Sequence, residues 1–435
     1  MPAFVVQKFG GSSVADAAKM RACAQRVIDE RRLGHCVIVV VSAMGDSTDD
    51  LLTLTGTIAP GLIHDRRELD QLLATGEQVS IAMMAMVLQS MGIPAQSLTG
   101  AQAAIRTDAS FGRASILAID TTRLRALADA GTVAVVAGFQ GLTDHGEITT
   151  LGRGGSDTTA VALAGALRLA GLEASCDIYK DVDGVFTADP RLVPSARRRE
   201  VVTYDEMLEA AALGAQVIHP RAVELAKTFA VPLRVLHSHR PGIGTRVLPE
   251  DPNMESRVVS SVVVKKNVGR VSIRGVANRP GIQSAVFGPI AAAGISIDDI
   301  IQEDDGPGTI NLTFTCDRKD LPEITPIVHK AAKTLASDSG GPQAVRTDTD
   351  LCTVSVVGAG MRTSPGVASM LFDALAAEKI AVENITTSEI RISCVMKEAE
   401  AERAARAIHY AFGLHDASAE HSCRVELKAI ARVPA

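Results

Sequence analysis

One short segment, residues 151 to 164, brings together glycines, an arginine and a run of hydroxyl and carboxylate side chains, in the order LGRGGSDTTAVALA. Its three glycines let the backbone pass close to a ligand because no Cβ stands in the way. Arg153 lies among them and has donors in a fixed fork that suits a carboxylate or a phosphate. Residues 156 to 159 can cap a helix, whose free N–H groups would face an anion. The segment predicts an anion site, and a glycine turn before an ordinary capped helix is the alternative.

A second glycine turn follows an apolar strand at residues 5 to 13, VVQKFGGSS. Its N–H groups and Lys8 are suited to cradling a phosphate. The segment is neither a P-loop, since no Gly-Lys-Ser/Thr follows, nor a dinucleotide fingerprint, since the third glycine is missing. A plain turn with a solvent-exposed lysine stays open as the other interpretation.

Two further segments place polar residues where a ligand could meet them. Residues 42 to 48 follow an apolar strand and put hydroxyl groups at the carboxyl edge of a sheet, where ligands of open α/β sheets bind. Glu77 opens a predicted helix, and two interpretations remain. The carboxylate either gains from the helix dipole as a cap or meets an ammonium group.

The segment from 179 to 191, YKDVDGVFTADPR, is dense with turn residues. Its acidic spacing suggests a calcium loop, but the full Asp/Asn series and the terminal Glu are absent. We favour a loop at the edge of a nucleotide site, with Lys180 and Arg191 facing phosphates and Phe186 near a base.

The composition is that of a soluble globular protein. The 435 residues allow two or three domains, and 46% hydrophobic with 22% charged residues is ordinary. A net charge of -6 and 3% aromatic residues without Trp argue against a nucleic-acid partner. Apolar runs far shorter than a membrane span and the absence of a signal-peptide pattern predict no membrane partner and a cytoplasmic location. The seven cysteines are scattered without C-x-x-C spacing, which predicts no disulfide frame and no metal site.

The first half of the chain alternates between strand and helix patterns. Strands are predicted at 4–7, 36–42, 132–137, 176–179 and 231–236, and helices at 15–32, 77–91 and 160–169. Asp16 is a candidate cap for the first of these helices. The runs at 36–42 and 132–137 are continuously apolar, as in strands buried on both faces. The alternation predicts an α/β fold with a mostly parallel sheet sandwiched by helices.

An internal repeat occupies the second half. The first copy has a strand from Val271, a Pro-Gly turn, a helix and a second strand at Ile295. The second copy repeats this order with strands from Val354 and Ile380. Further strands follow at 309–315 and 388–396. The matched β-α-β-β order predicts two small ferredoxin-like α+β modules.

These patterns predict the domain boundaries. The stretch 241–256 is rich in Pro, Gly and acidic residues and is interpreted as a linker. The predicted parts are a catalytic domain at 1–245, a linker with a leading strand at 246–264, a first module at 265–340 and a second module at 350–435. The predicted strands at 258–264 and 423–431 could each complete the sheet of the other module.

Taken together, the motifs resemble those of the aspartate kinases in the amino-acid kinase family, and the repeat resembles tandem ACT regulatory modules. The matching segments are 5–13, 42–49, 75–77, 98–102, 138–141, 149–159, 179–191 and 214–221. The resemblance covers nearly the whole chain. It implies transfer of the γ-phosphoryl group of ATP, with Mg²⁺, to the side-chain carboxylate of L-aspartate. That reaction opens lysine, threonine and methionine biosynthesis.

The resemblance also implies roles for single residues. Lys8 would bridge the transferring phosphoryl group, and Asp157 would orient lysines and glycine N–H groups around the phosphates as the second catalytic residue. Arg153 would clamp a carboxylate of aspartate, and Glu77 would take its amine. The implied ATP contacts are Lys8, Phe9, Gly10, Gly11, Lys180, Asp181, Phe186, Arg191 and Gln216. The implied aspartate contacts are Ser42, Thr48, Glu77, Arg153, Gly154, Gly155 and Ser156.

Two positions depart from the family pattern. Gln216 stands where a nucleotide-contacting lysine is usual, so one cation is lost while a hydrogen bond remains possible. Phe186 stands where tyrosine is common, which keeps the ring and loses the hydroxyl.

The ACT resemblance implies an amino-acid effector, lysine or threonine, and association of the modules into a homo-oligomer. The helix that follows each Pro-Gly turn offers N–H groups for a carboxylate. The implied effector contacts are Asn278, Arg279, Pro280, Gly281 and Gln302 in the first module and Met361, Thr363 and Ser364 in the second. Modules that only dimerise the chain are the alternative.

Two other functions are alternatives to aspartate phosphorylation. A kinase of the same fold could act on glutamate or acetylglutamate, but the tandem modules and the segment 42–48 speak against it. The chain could also be a catalytically silent amino-acid sensor, but a sensor has no need of the phosphate site. The presence of Lys8, Glu77, Arg153 and Asp157 speaks against it.

Overall fold

The computed structural model describes residues 3–59, 66–215, 217–249, 258–306, 308–339 and 344–416. Two compact units divide the chain. The first comprises Met1–Phe186 and Arg198–Met254, and the second comprises Thr187–Arg197 and Glu255–Ala435.

The first unit is an α/β domain. Its strands are β1 Phe4–Phe9, β2 Cys36–Val41, β3 Ala95–Leu98, β4 Ile105–Thr107, β5 Ile116–Ile119, β6 Val133–Ala137, β7 Gln140–Leu142, β8 Ile148–Thr150, β9 Ala174–Lys180, β10 Val201–Thr203, β11 Leu233–His237 and β12 Thr245–Leu248. Its helices are α1 Ala17–Arg32, α2 Ser47–Ile58, α3 Arg66–Ser90, α4 Thr122–Asp129, α5 Gly155–Leu169, α6 Tyr204–Ala212 and α7 Pro220–Thr228.

An eight-stranded sheet forms the core of this unit, in the order β10-β12-β11-β9-β1-β2-β6-β3. All its pairs are parallel except β11 with β12. The mostly parallel sheet is therefore confirmed. The valine-rich strands β2 and β6 are buried almost throughout because helices cover both faces. A smaller sheet has the order β5-β4-β7-β8.

Two helices show how local sequence sets these elements. The predicted cap of α1 is confirmed, because the Asp16 carboxylate accepts the N–H of Lys19 at 2.8 Å. Helix α3 is long and apolar enough to span a membrane, but half of its most apolar stretch is buried inside the structure. Its buried face also includes Asp70 and Glu77, which is typical of a core helix in a domain of this size.

The stretch interpreted as a linker is not irregular throughout. Strand β12 lies within it, antiparallel to β11 and parallel to β10. The prediction of a linker from 246 is wrong for these residues, because alternating buried positions at Thr245 and Val247 pack into the large sheet. The Pro and Gly residues before β12 make the turn that reverses the chain.

The second unit contains both repeats. Its strands are β13 Ser261–Ala277, β14 Ile300–Asp304, β15 Thr309–Asp317, β16 Val345–Val357, β17 Asn384–Thr387 and β18 Arg391–Lys397. Its helices are α8 Ile282–Ala292, α9 Leu321–Ser339, α10 Val367–Ala377 and α11 Ala401–Ala411. All six strands form one antiparallel sheet in the order β14-β15-β13-β16-β18-β17.

The long strand β13 serves both modules. Residues 261–265 pair with 353–357 of the second repeat, whereas 268–273 pair with 312–317 of the first. The predicted leading strand therefore adds to the sheet of the second module. The predicted strand at 423–431 lies outside the described residues, and the module boundaries stay a prediction.

One expectation about each repeat is wrong. The apolar triplets at Ile295 and Ile380 were predicted as strands, but the strands begin later, at Ile300 and Asn384. Ile380 is buried in the core of its module without pairing in the sheet. Hydrophobic pattern alone reports burial, and it does not report ladder hydrogen bonds.

The segment Thr187–Arg197 interrupts the first unit in the sequence and belongs to the second unit. Ala188 and Val193 are buried in the hydrophobic cluster of the second repeat. The hydroxyl of Thr187 lies 2.9 Å from Nε2 of His409, which is also buried. Burial lowers the pKa of His409 to about 4, so its ring is neutral at physiological pH.

Replacement of Thr245 by valine tests the inclusion of β12 in the sheet. Thr245 is fully buried, accepts the N–H of Val185 at 2.9 Å and donates to the carbonyl of Arg199 at 2.6 Å. Thr245→Val keeps the shape and leaves both groups unsatisfied, so we expect a loss of about 1 to 3 kcal/mol in the free energy of unfolding. Urea unfolding is the measurement, with exposed Thr53→Val as the control. A neutral effect would mean that this segment is a linker after all.

Candidate active site

Four parallel strands end in polar residues or glycine at one edge of the large sheet. Lys8 lies at the end of β1, Ser42 follows β2, Gly138 follows β6 and Lys180 ends β9. These strands are neighbours in the order β9-β1-β2-β6. Their carboxyl ends therefore meet at one place, where open α/β sheets bind ligands.

A buried charge cluster lies at this edge. Nζ of Lys8 is 2.7 Å from Oδ1 of Asp157, and Nζ of Lys180 is 3.3 Å from Oδ2 of the same carboxylate. The side chains of Lys8 and Asp157 are only 6% and 4% exposed, whereas that of Lys180 is 22% exposed. One carboxylate thus orients two ammonium groups toward the same space.

The protonation of this cluster follows from its surroundings. Burial lowers the pKa of Lys8, while Asp157 acts in the opposite direction. Burial alone would raise the pKa of Asp157, but Lys8 and Lys180 hold it well below its usual range. Asp157 is therefore ionised at any physiological pH.

The glycine turn after β1 brings the backbone close to the loop after β2. A Cβ on Gly11 would lie 2.7 Å from the carbonyl oxygen of Ala43, so only glycine fits there. Gly45 donates its N–H to the Gly11 carbonyl at 3.1 Å. Gly10 lies against the ammonium group of Lys8, since a Cβ on Gly10 would stand 3.4 Å from Nζ of Lys8. A ligand oxygen can therefore approach the turn and Lys8 together.

Glu77 is a buried carboxylate with one unsatisfied oxygen. Its Oε1 accepts the N–H of Ala43 at 3.0 Å, and its Oε2 is buried without a hydrogen-bond partner among the described residues. Burial raises the pKa of Glu77 to about 7. The interpretation of Glu77 as a helix cap is wrong, since it lies well inside α3. The unsatisfied oxygen suits an ammonium group.

The glycine-rich loop ends at the start of α5. Gly152 and Gly154 both have left-handed backbones, with φ of 77° and 71°. Helix α5 begins at Gly155, and Ser156 and Asp157 are buried in its first turn. Arg153 is exposed between the glycines. A helix after the glycine turn was predicted correctly, but it begins at Gly155, before the predicted start at 160, and no side chain of residues 156–159 caps it.

His219 lies against this loop. A Cβ on Gly154 would stand 2.2 Å from Cγ of the His219 ring, so the ring occupies the space beside the glycine. Burial lowers the pKa of His219, while Asp157 acts in the opposite direction.

The residues predicted to contact ATP differ in their exposure to solvent. The ring of Phe9 is fully buried and stacked on Tyr179 at 4.6 Å, so only its backbone could meet a ligand. Asp181 is exposed and Phe186 is half-buried. Arg191 lies in the segment of the second unit, pairs with Asp189 at 2.7 Å and has a side chain that is 89% exposed. Gln216 lies outside the described residues.

The remaining predicted substrate residues lie near the strand ends. Ser42 and Thr48 are half-buried, the first after β2 and the second in the first turn of α2. The roles of all these residues stay predictions.

The predicted effector residues lie before the first helix of each module and on one edge strand. Residues 278–281 form an exposed turn that ends with Gly281, at φ 94°. Gln302 on β14 accepts a hydrogen bond from Gln283 at 2.8 Å. Met361 packs against the core of the second module, and Ser364 precedes α10. Nothing is described for the side chain of Thr363.

Two residues beside the glycine-rich loop were not found from the sequence. Asp70 is buried on α3, and Arg221 lies at the start of α7. The seven-residue spacing between Asp70 and Glu77, which places both on one helix face, is a signal that the sequence did contain.

Comparison with known proteins identifies the family and the domains. The family model described as the amino acid kinase family matches residues 3–237, and ACT domain models match 270–333 and 354–412. An aspartokinase of Pseudomonas aeruginosa is 46% identical over 414 residues, which cover 95% of this chain and 98% of that protein.

Two solved structures of an aspartokinase are similar to this chain over nearly its full length. The structure of E. coli aspartokinase III in complex with aspartate and ADP has a TM-score of 0.76 and 25% identity, over 94% of this chain and 99% of that chain. Its complex with lysine and aspartate has a TM-score of 0.72 at 25% identity and the same coverage.

The family model and the curated relatives identify the protein as a kinase. The chain belongs to the amino acid kinase family, and within it to the aspartate kinases with two ACT domains.

Removal of the Glu77 charge should stabilise the ligand-free protein. The pKa of Glu77 is raised from 4.5 to about 7, so the native state loses stability as the pH rises through this window. Glu77→Gln keeps the hydrogen bond from Ala43. We expect a gain of about 1 to 3 kcal/mol in the free energy of unfolding at about pH 8. Near about pH 5 the gain should vanish, because Glu77 is then protonated. Denaturant unfolding at both pH values is the measurement, with exposed Glu68→Gln as the control.

Proposed function

We propose that this chain transfers the γ-phosphoryl group of ATP to the side-chain carboxylate of L-aspartate, giving 4-phospho-L-aspartate and ADP. The observation that supports this best is the buried Lys8–Asp157–Lys180 cluster at the sheet edge, together with the half-satisfied carboxylate of Glu77. The product is the acyl phosphate that opens lysine, threonine and methionine biosynthesis.

The acceptor amino acid presents three charged groups, and the site offers a counterpart to each. Oε2 of Glu77 takes the ammonium group, which satisfies its buried charge. Arg153 clamps the α-carboxylate through two parallel hydrogen bonds. The side-chain carboxylate then points toward Lys8 and the first turn of α5, where N–H groups favour an anion.

The transfer needs no general base. A carboxylate oxygen is already a nucleophile, and it forms a bond to the γ-phosphorus as the bond between that phosphorus and the bridging oxygen breaks and ADP leaves. The remaining task is to bring two anions together and to neutralise the charge that spreads over the phosphoryl oxygens. Lys8 and Lys180 supply that charge, and Asp157 fixes their positions.

The residues present also fit a nucleotide with its metal ion. The glycine turn at Gly10 and the adjacent ammonium of Lys8 suit a phosphate oxygen. We propose that Mg²⁺ would bind together with ATP, whose phosphates would lie against Lys8 and the glycine turn at Gly10 and Gly11. When bound, Mg²⁺ neutralises phosphate charge.

A trapping assay tests the reaction. Purified protein with Mg-ATP and hydroxylamine should yield the hydroxamate of aspartate and not that of glutamate or acetylglutamate. Lys8→Met should lower kcat by about a hundredfold or more, because it removes a preorganised charge from the transition state. Lys227→Met, at an exposed lysine of the same unit, is the matched control and should leave kcat unchanged.

Other results would contradict the proposal in distinct ways. Phosphorylation of glutamate alone would identify a different kinase of the same fold. No product from any of the three acids would favour an amino-acid sensor. Retained turnover in Lys8→Met would refute the role of Lys8.

We propose further that the ACT modules bind lysine or threonine and change the rate, and that they associate into a homo-oligomer in the cytoplasm. Addition of either amino acid at millimolar concentration should change the aspartate kinase rate. Gln302→Ala should shift the concentration of half effect, whereas exposed Glu402→Gln should not. A rate that neither amino acid alters would leave the modules as dimerisation elements only.

A further inference from the structure

A buried carboxylate outside the catalytic cluster ties three segments together. Asp70 is only 1% exposed. Its Oδ2 accepts the N–H of Gly112 at 2.8 Å and that of Thr150 at 2.7 Å, and its Oδ1 accepts the Thr150 hydroxyl at 2.7 Å. One side chain of α3 thus fixes both the turn at Gly112 and the end of β8, directly before the glycine-rich loop.

The position of Asp70 relates this anchor to Glu77. The two carboxylates are seven residues apart on α3, so they lie on the same helix face about 10 Å apart along the axis. Both are buried. A single rigid helix therefore holds the proposed ammonium site and the anchor of the glycine-rich loop at a fixed separation.

A second side chain holds the loop from another element. Arg221, at the start of α7, donates through Nη1 to the Leu151 carbonyl at 3.0 Å and through Nη2 to the Ala114 carbonyl at 2.7 Å. Ala114 in turn donates its N–H to the Thr150 carbonyl at 2.9 Å. The two residues that precede Gly152 are therefore bonded from α3 and from α7.

The glycines on both sides of Arg153 are also packed against neighbouring residues. The carbonyl oxygen of Gly112 lies 3.0 Å from where a Cβ on Gly152 would stand, so the two turns pack backbone against backbone. Arg153 follows directly, and Gly154 rests on the His219 ring. The base of Arg153 is therefore fixed on both sides, although its side chain is exposed.

We propose that Asp70 and Arg221 are positioning residues that hold the Gly152–Gly154 loop at a set distance from Glu77 and thereby determine the affinity for the acceptor amino acid. The proposal rests on the proposed function, since it takes Glu77 and Arg153 as the two anchors of aspartate. Lys8 and Lys180 are placed by β1 and β9, whereas the hydrogen bonds of Asp70 run to Gly112 and Thr150, so the nucleotide should be affected less.

Steady-state kinetics of Asp70→Asn separates this role from a purely structural one. The amide keeps the shape but replaces one acceptor oxygen by a donor. We expect KM for aspartate to rise about tenfold or more, since small misplacement of a binding group costs this much. KM for Mg-ATP should stay within about twofold, as expected for a loss confined to one substrate. The control is Asp120→Asn, an exposed carboxylate that also accepts two hydrogen bonds and lies before α4.

Arg221→Lys is measured in parallel and decides the matter if Asp70→Asn does not fold. Lysine keeps the charge but cannot reach two carbonyl groups with a planar fork, so KM for aspartate should again rise selectively. An unchanged KM for aspartate, or equal rises of both KM values, would overturn the proposal even if the melting temperature falls. A wild-type protein without aspartate kinase activity would instead refute the proposed function, and the inference with it.

Discussion

The buried carboxylate of Asp157 between two lysines is the constraint on which the catalytic unit depends. A charge so far from water is tolerated only when it is paired and well bonded, and removal of one partner leaves an uncompensated buried charge. The pairing requires β1, β9 and α5 to arrive at one point. A parallel sheet provides this, because its central strands all end at the same edge. The close approach of loops at Gly11 follows from the same requirement.

Glu77 shows the opposite solution to the same problem. Its carboxylate is buried and accepts the N–H of Ala43, and burial raises its pKa to about 7. Such a group costs stability and is retained where function uses it. The two carboxylates divide the work by environment. Asp157, beside two cations, stays ionised, whereas Glu77 becomes fully ionised most easily when an ammonium group reaches it.

Local patterns in the sequence predicted those parts of the molecule that local forces determine. The valine-rich strands, the Asp16 cap and the presence of a helix after the glycine turn were found, because burial on two faces, capping and backbone freedom leave short-range signatures. Strand β12 was missed because Pro and Gly around it look like a linker, while its place in the sheet depends on partners far along the chain. The triplet at Ile380 was predicted as a strand because burial and sheet pairing give the same hydrophobic signal.

The same distinction explains why the surroundings of the glycine-rich loop could not be predicted. Glycine allows the left-handed turns at Gly152 and Gly154, but it also gives the unfolded loop more freedom to lose. A glycine-rich loop therefore needs hydrogen bonds and packing from neighbouring residues to hold one conformation. Here Asp70 lies 80 residues before Thr150 and Arg221 lies 70 residues after Leu151. The glycines that mark the site in the sequence thus also require partners that no local pattern can reveal.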